Sequence, residues 1–413
     1  MSRWLAVVGV AVVATGLRFA GLGHWSVSGD ELATTREARV LFDGLPADPA
    51  SQTARLPRLI PAGYLVQYLG YRTFGTDEWG SRVPAAVAGS ILPPLIAWLL
   101  WRPLGGYAAT ATGLFLAVSP EAVFQSQQNR FYMSAGLVAG GCVAAAAVAV
   151  RDRHAGTFCV AGATAAIAPL FHPVLAALAP GLAAATWLGM PAGPDHARRR
   201  FLVIAGVAVA VVVLVVAGYH LPLLRQWNAG AGWGYPTGLA VLAGVKRLGV
   251  PAALLAALGA VLMFRADRPA FGFWAVWAGG WAATLVVLPS ALAYQPAYSF
   301  PFLLGPVVPA GYAVGEIART LREQSGRAGA VVWVAAACLS GAPALVSHYA
   351  DGSRYNHRAA AAVVADRRRP GEAVAAVSPG NLAHYRGELA DAAGLDPAVL
   401  TRELSAVGRR GRP

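Results

Sequence analysis

Residues 4–22 read WLAVVGVAVVATGLRFAGL, and residues 23–31 then read GHWSVSGDE. The first stretch is apolar over the length that a helix needs to cross a hydrocarbon core of about 30 Å. The second is a polar exit ending in two adjacent carboxylates, Asp30 and Glu31. Arg3 followed by an apolar run resembles a signal peptide. The run is too long for one, however, and no small-x-small cleavage site follows, so it reads as a first span that is kept. An acid pair just beyond such a span is a candidate catalytic site at the outer face of a bilayer.

The same apolar pattern recurs along the chain. Of 413 residues, 56% are hydrophobic and 13% charged, far from the roughly 25% charged residues of soluble domains. Apolar runs of about 17 to 20 residues, separated by short arginine-bearing links, predict an all-α polytopic membrane protein. The alternating ten-residue strands of a membrane β-barrel are excluded. The predicted spans are Trp4–Leu22, Val83–Trp101, Gly106–Val123, Met133–Val150, Gly156–Phe171, Val174–Met190, Phe201–Tyr219, Leu248–Phe264, Phe271–Pro289, Phe300–Ile317 and Gly329–Val346, about eleven transmembrane helices. Cys142, Cys159 and Cys338 lie in or beside apolar stretches without CxxC or Cys/His spacing, so they read as small buried hydrophobes. The net charge of +13 rests on arginine and the single Lys246. It is spread over loops and tail, which suits topology and anionic lipid and argues against nucleic acid.

Arginine counting sets the orientation. With the N-terminus inside, the inner loops hold Arg102, Arg151, Arg153, Arg198–Arg200, Arg265, Arg268, Arg319, Arg322 and Arg327, and the short outer loops only Arg130, Arg225, Lys246 and Arg247. The positive-inside rule favours that choice. Residues 24–82 then form a long first extracytoplasmic loop, within which Pro61–Phe74 reads as an interfacial helix. Residues 1–346 make the membrane domain. Residues 347–413 make a short extracytoplasmic tail, with a helix over Tyr349–Arg369 and a strand at Glu372–Val377, that packs on the outer loops or frays.

Several motifs occur in order. Leu17-Arg18-Phe19-Ala20-Gly21-Leu22-Gly23 precedes Gly29-Asp30-Glu31. Pro61–Gly75 ends in Phe-Gly and leads to Ser81-Arg82-Val83-Pro84. Ser119-Pro120 leads to Gln125-Ser126-Gln127-Gln128-Asn129-Arg130-Phe131-Tyr132. This order resembles the PMT-type glycosyltransferases of the GT-C fold, which use lipid-linked sugars and include protein O-mannosyltransferases and lipid A aminoarabinose transferases. Gln128 stands where the family commonly has Glu, and Ala297, ahead of Tyr298-Ser299-Phe300-Pro301, where many relatives have Arg. The likeness is strong over the N-terminal third and weak beyond it. It implies a polyprenyl-phosphate sugar donor, an acceptor glycan, lipid or protein, and a bacterial-type plasma membrane location.

The chemistry asks for the same residue types. A sugar on a polyprenyl phosphate is already activated, so transfer needs a base for the acceptor hydroxyl and cations for the departing phosphate. The resemblance places the base at Asp30, with Glu31 positioning the acceptor or a neighbouring arginine. The competing reading makes Asp30 the N-cap of a helix starting at Glu31. Arg55, Arg58 and Arg130 are candidates for the phosphate, since the guanidinium fork matches its oxygens. Each could equally be a solvated loop charge. Gln127, Tyr132, His172 and Tyr298 are candidates for the substrate cavity, against the plainer readings of turn histidine and aromatic belt. Arg18, near the outer end of the first span, is expected to snorkel to the interface or to pair with an acid. No residue cluster suggests a metal, and no cofactor is expected, although a divalent ion is used by some GT-C enzymes with diphosphate leaving groups. A transporter or flippase of lipid-linked sugars is the second reading, disfavoured because no ionisable residue lies at mid-span. An inactive relative acting as scaffold is the third.

Overall fold

The computed structural model describes residues 2–46, 56–190, 196–223, 236–287, 296–351, 356–369, 374–376, 379–386, 389 and 393–394. Its helices are α1 (Arg3–Phe19), α2 (Gly29–Phe42), α3 (Leu56–Leu59), α4 (Pro61–Phe74), α5 (Val83–Leu99), α6 (Trp101–Leu104), α7 (Gly106–Val118), α8 (Pro120–Ser126), α9 (Tyr132–Asp152), α10 (Ala155–Ile167), α11 (Leu178–Gly189), α12 (His196–Val215), α13 (Thr237–Leu248), α14 (Val250–Ala266), α15 (Arg268–Val286), α16 (Leu304–Leu339), α17 (Ala342–Asp351), α18 (His357–Arg367) and α19 (Pro379–Tyr385). Over its described residues, each of the eleven apolar segments is built from these helices, short 3-10 turns and, at Val216–His220, a π-helical turn. The last two share α16, broken where Gly326 takes φ 74°. Ala375–Ala376, within the strand expected at Glu372–Val377, pairs in parallel with Ala393–Gly394.

Among the described residues, Gly80–Leu99, Tyr132–Asp152 and His196–Leu223 are long and apolar enough to cross a membrane, and three bent helix pairs raise that number to six. One bent pair is α7 with α8, at 55°. Pro120 causes the break, because it has no N–H to give Leu116 and its ring cannot follow a helical turn.

That break explains Arg18, which does not snorkel and has no acid partner among the described residues. It is fully buried. Its guanidinium donates to the carbonyls of Leu116 (3.0 Å) and Ala117 (2.8 Å) at the end of α7, and to Ala14 (3.1 Å). The Leu116 carbonyl is the one that Pro120 leaves without a partner, and a cation suits the negative end of a helix. The arrangement is reciprocal. Gln127, at the end of α8, donates to the carbonyls of Leu17 (3.1 Å), Arg18 (3.3 Å) and Ala20 (2.8 Å), which α1 leaves open at its own end.

The interior is rich in alanine and glycine, so helix backbones come close. Gly311 and Gly315 lie one turn apart on α16 and face Thr112 and Ala108 of α7; a Cβ on Gly315 would sit 2.6 Å from Ala108, and one on Gly311 would collide with the Thr112 side chain. Gly315→Leu or Gly311→Leu is therefore expected to wedge the two helices apart, at a cost of about 1–3 kcal/mol. Thermal unfolding of the detergent-solubilised variants should show a lowered midpoint. An unchanged midpoint would mean that α7 and α16 do not meet at these glycines.

Candidate active site

The site is built on the start of α2. Residues 28–31 spell Ser-Gly-Asp-Glu, and Ser28 is the N-cap: its Oγ accepts from the Glu31 amide (3.4 Å), and Glu31 Oε2 accepts from the Ser28 amide (2.9 Å). This capping box satisfies two amides that the first turn would otherwise leave open. The reading of Asp30 as cap is thereby corrected. Asp30 sits inside the first turn with its side chain free of that duty.

Glu31 is fully buried against Arg82, also fully buried, with Nε–Oε1 at 2.8 Å and a second contact from the guanidinium to Oε2 at 3.1 Å. Arg82 gives its remaining donors to the carbonyls of Leu22 (3.0 Å), Trp25 (2.8 Å) and Ser26 (3.0 Å). Glu31 Oε1 also accepts from the Asn129 amide (2.8 Å). Tyr64, Gln67 and Tyr71 lie three and four residues apart on α4 and so share one face. They bond Glu37, the Arg130 carbonyl (3.0 Å) and Asn129 Oδ1 (2.5 Å) respectively. Asn129 closes the loop by donating to the Glu31 carbonyl (3.0 Å) and to Thr35 (2.8 Å).

This frame leaves Asp30 outward-facing beside Arg130. The Asp30 side chain is 67% exposed and its Oδ2 lies 3.8 Å from an Arg130 nitrogen, whereas Arg130 is only 8% exposed. Arg130 also donates to the Asp30 carbonyl and to Thr34 Oγ1, both at 3.0 Å, so its fork is fixed. Its guanidinium lies 5.0 Å from the Phe131 ring centroid and 5.5 Å from that of Tyr132. Tyr132, His172 and Tyr298 form a ring cluster, with centroids 5.8 Å apart for Tyr132 and His172, 4.9 Å for His172 and Tyr298 and 6.3 Å for Tyr132 and Tyr298. The structure thus gathers Asp30, Arg130, Tyr132, His172 and Tyr298 from four separate elements.

His172 stands in the turn between α10 and α11. Its Nδ1 accepts from the Val174 amide (3.2 Å), so the neutral ring carries its proton on Nε2. Burial, then the charge of Arg130, then His220 push its pKa down to about 3. Two other candidates fall elsewhere. Arg58 is exposed, and its carbonyl accepts from the Tyr219 hydroxyl. Gln127 is fully buried, holding α1 with its amide nitrogen and His348 with its Oε1 (2.9 Å). Arg55 lies outside the described residues.

Sequence reasoning missed one cation. Arg247, at the end of α13, forms a 2.5 Å ion pair with Glu121. Glu121 follows Pro120 directly, an acid on a broken apolar helix, and that was the available signal. The capping box was equally legible as Ser-x-x-Glu. Among the described residues, no three His, Cys, Asp or Glu side chains converge as metal ligands would.

Two outcomes are expected. Glu31→Ala should destabilise the protein by about 3–5 kcal/mol, because it strands a buried guanidinium; thermal unfolding checks this, and a loss under about 1 kcal/mol would refute the buried pair. The His172 ring should stay neutral from pH 8 to pH 5. A folded-state pKa below the unfolded value near 6.5 makes its contribution complete above about pH 6.5 and lost as pH falls toward 3. Histidine-selective NMR in detergent reads this directly, and a His172 midpoint near 6.5 would overturn it.

A family model described as dolichyl-phosphate-mannose-protein mannosyltransferase matches residues 57–220. No curated protein sequence matches the chain. Among solved structures, the chain is similar to ArnT from Cupriavidus metallidurans bound to undecaprenyl phosphate, with 18% identity, a TM-score of 0.65, and coverage of 92% of this chain and 84% of that one. It is also similar to the archaeal oligosaccharyltransferase AglB from Archaeoglobus fulgidus in complex with an inhibitory peptide and a dolichol-phosphate, with 14% identity, a TM-score of 0.61, and coverage of 89% and 58%. At these identities the structural likeness establishes the shared fold, and the family match falls on the segment that carries Arg82, Arg130 and His172. The chain shares the fold of these GT-C glycosyltransferases, and over residues 57–220 it matches the model of the PMT-type family.

Proposed function

We propose that the protein is a membrane glycosyltransferase that moves a hexosyl or pentosyl group from a polyprenyl-phosphate carrier to an acceptor hydroxyl at the extracytoplasmic face. The observation that carries this reading is the corner formed by Asp30 and Arg130, a solvent-facing carboxylate 3.8 Å from a buried guanidinium that the Asp30 carbonyl and Thr34 Oγ1 hold in place. The lipid phosphates bound to ArnT and AglB support the donor class. The arginine count of the loops supports the sidedness.

In a single inverting displacement, Asp30 takes the acceptor proton as the acceptor oxygen bonds to the anomeric carbon. The bond from that carbon to the phosphate oxygen breaks, and its electron pair leaves with the polyprenyl phosphate. Arg130 meets the charge that develops on the phosphate. Arg247, held by Glu121, is the second cation in place of Arg58, and Arg55 is a further candidate. A neutral His172 offers Nε2–H to a sugar or phosphate oxygen, and the Tyr132 and Tyr298 rings give the sugar a wall. Glu31 acts through Arg82, by fixing the helix that presents Asp30. With arginines facing a monophosphate leaving group, the reaction is read as metal-independent.

Asp30→Asn removes the base and keeps the shape. It should lower transfer by at least about 10²–10⁴-fold while leaving expression and carrier binding intact, in an assay with radiolabelled polyprenyl-phosphate sugars in detergent or vesicles. Near-normal turnover would sink the base assignment, and leaflet exchange of the carrier without transfer would favour a flippase. Added EDTA should leave the rate unchanged, and a loss restored by a divalent cation would refute metal independence.

A further inference from the structure

Three consecutive residues just ahead of Asp30 are held by three different parts of the chain. Ser26 Oγ donates to Asn356 Oδ1 (3.2 Å) and accepts from the Arg358 amide (3.1 Å). Asn356 Oδ1 also accepts from the Ala359 amide (3.0 Å), so Ser26 is built into the N-terminal cap of α18. The Val27 amide donates to the Tyr385 hydroxyl at the end of α19 (2.5 Å). Ser28 closes the capping box with Glu31. A second strut runs alongside: Arg358 forms a 2.6 Å ion pair with Glu78, four residues before the end of the first loop at Arg82, and lies 5.6 Å from the Tyr385 ring.

We infer that the C-terminal tail is a working part of the site, in which Asn356, Arg358 and Tyr385 are positioning residues that hold Ser26–Ser28, and through them the first turn of α2, in the place from which Asp30 acts. The inference rests on the functional reading given above, and it extends that reading to a segment some 330 residues away in sequence. The physical reason is local. Ser26 and Val27 have no regular helix or sheet partner, so their backbone and hydroxyl groups take partners from the tail. The Arg82 guanidinium fixes the same stretch from inside through the Trp25 and Ser26 carbonyls. Inner and outer braces meet on one short segment. A rigid segment matters because small displacements of a catalytic group cost large factors in rate.

The full chain tests this with Tyr385→Phe, Arg358→Ala and Arg358→Lys. Tyr385→Phe removes only the hydroxyl that accepts from Val27. Hydrogen exchange over residues 26–32 should speed up in Tyr385→Phe and Arg358→Ala, while the transfer kcat falls about ten- to a hundredfold with the donor KM unchanged. Arg358→Lys should restore much of both, because it restores the charge facing Glu78. Unchanged exchange over residues 26–32 overturns the brace, even in a preparation with no measurable transfer. Faster exchange with unchanged kcat overturns the positioning role. Asp30→Asn, run alongside, reports separately on the base, so a failed base assignment and a failed brace give different results.

Discussion

The buried pair of Arg82 and Glu31 is the constraint on which the rest of the site depends. Two opposite charges sealed from water stabilise a fold only when every donor and acceptor is matched. Here the five guanidinium donors go to Glu31 Oε1 and Oε2 and to three carbonyls, and the carboxylate also takes the amides of Ser28 and Asn129. The pair therefore joins the end of the first apolar helix, the cap of α2 and the turn before α9. Successive residues on a helix point about 100° apart. Burying Glu31 in this way is what turns its neighbour Asp30 toward solvent and toward Arg130.

Much of the fold was legible in the sequence because hydrophobic periodicity and length report directly on helices. All eleven apolar segments are helical over their described residues, and Pro61–Phe74 has the bounds read from its proline start and Phe-Gly end. The bends were less legible. Gly106–Val123 reads as one run, yet Pro120 splits it, and the two ends so exposed are filled from elsewhere. Arg18 was misread for that reason. A polar side chain in an apolar run finds its partner through packing, and the partner of Arg18 is a pair of carbonyls about a hundred positions on.

The candidate site divides in the same way. Asp30, Arg130, Tyr132, His172 and Tyr298 each stand in a short motif or at a span end, and the fold brings them together. Arg247 was counted only as a loop charge, since nothing near it in sequence announces Glu121. Asp30 and Glu31 look alike in sequence, and their separation into an exposed and a buried carboxylate needs the position of Arg82, 51 residues away. The contact of the tail with the first loop was expected in kind, but its residues could not be named.

The exchange of caps between α1 and the broken α7–α8 helix has a consequence for how the chain is made. Arg18 enters the membrane with the first helix, and an arginine in an isolated helix costs up to about 2.5–3.5 kcal/mol to insert at its centre and less near its end. The carbonyls that receive it belong to a segment synthesised some 100 residues later, and Gln127, which closes the end of α1, comes later still. The first helix is thus left incomplete until its partner arrives. Order of synthesis and order of stability run in opposite directions at this point, and the N-terminal helix becomes a settled part of the membrane only when residues 116–127 have joined it.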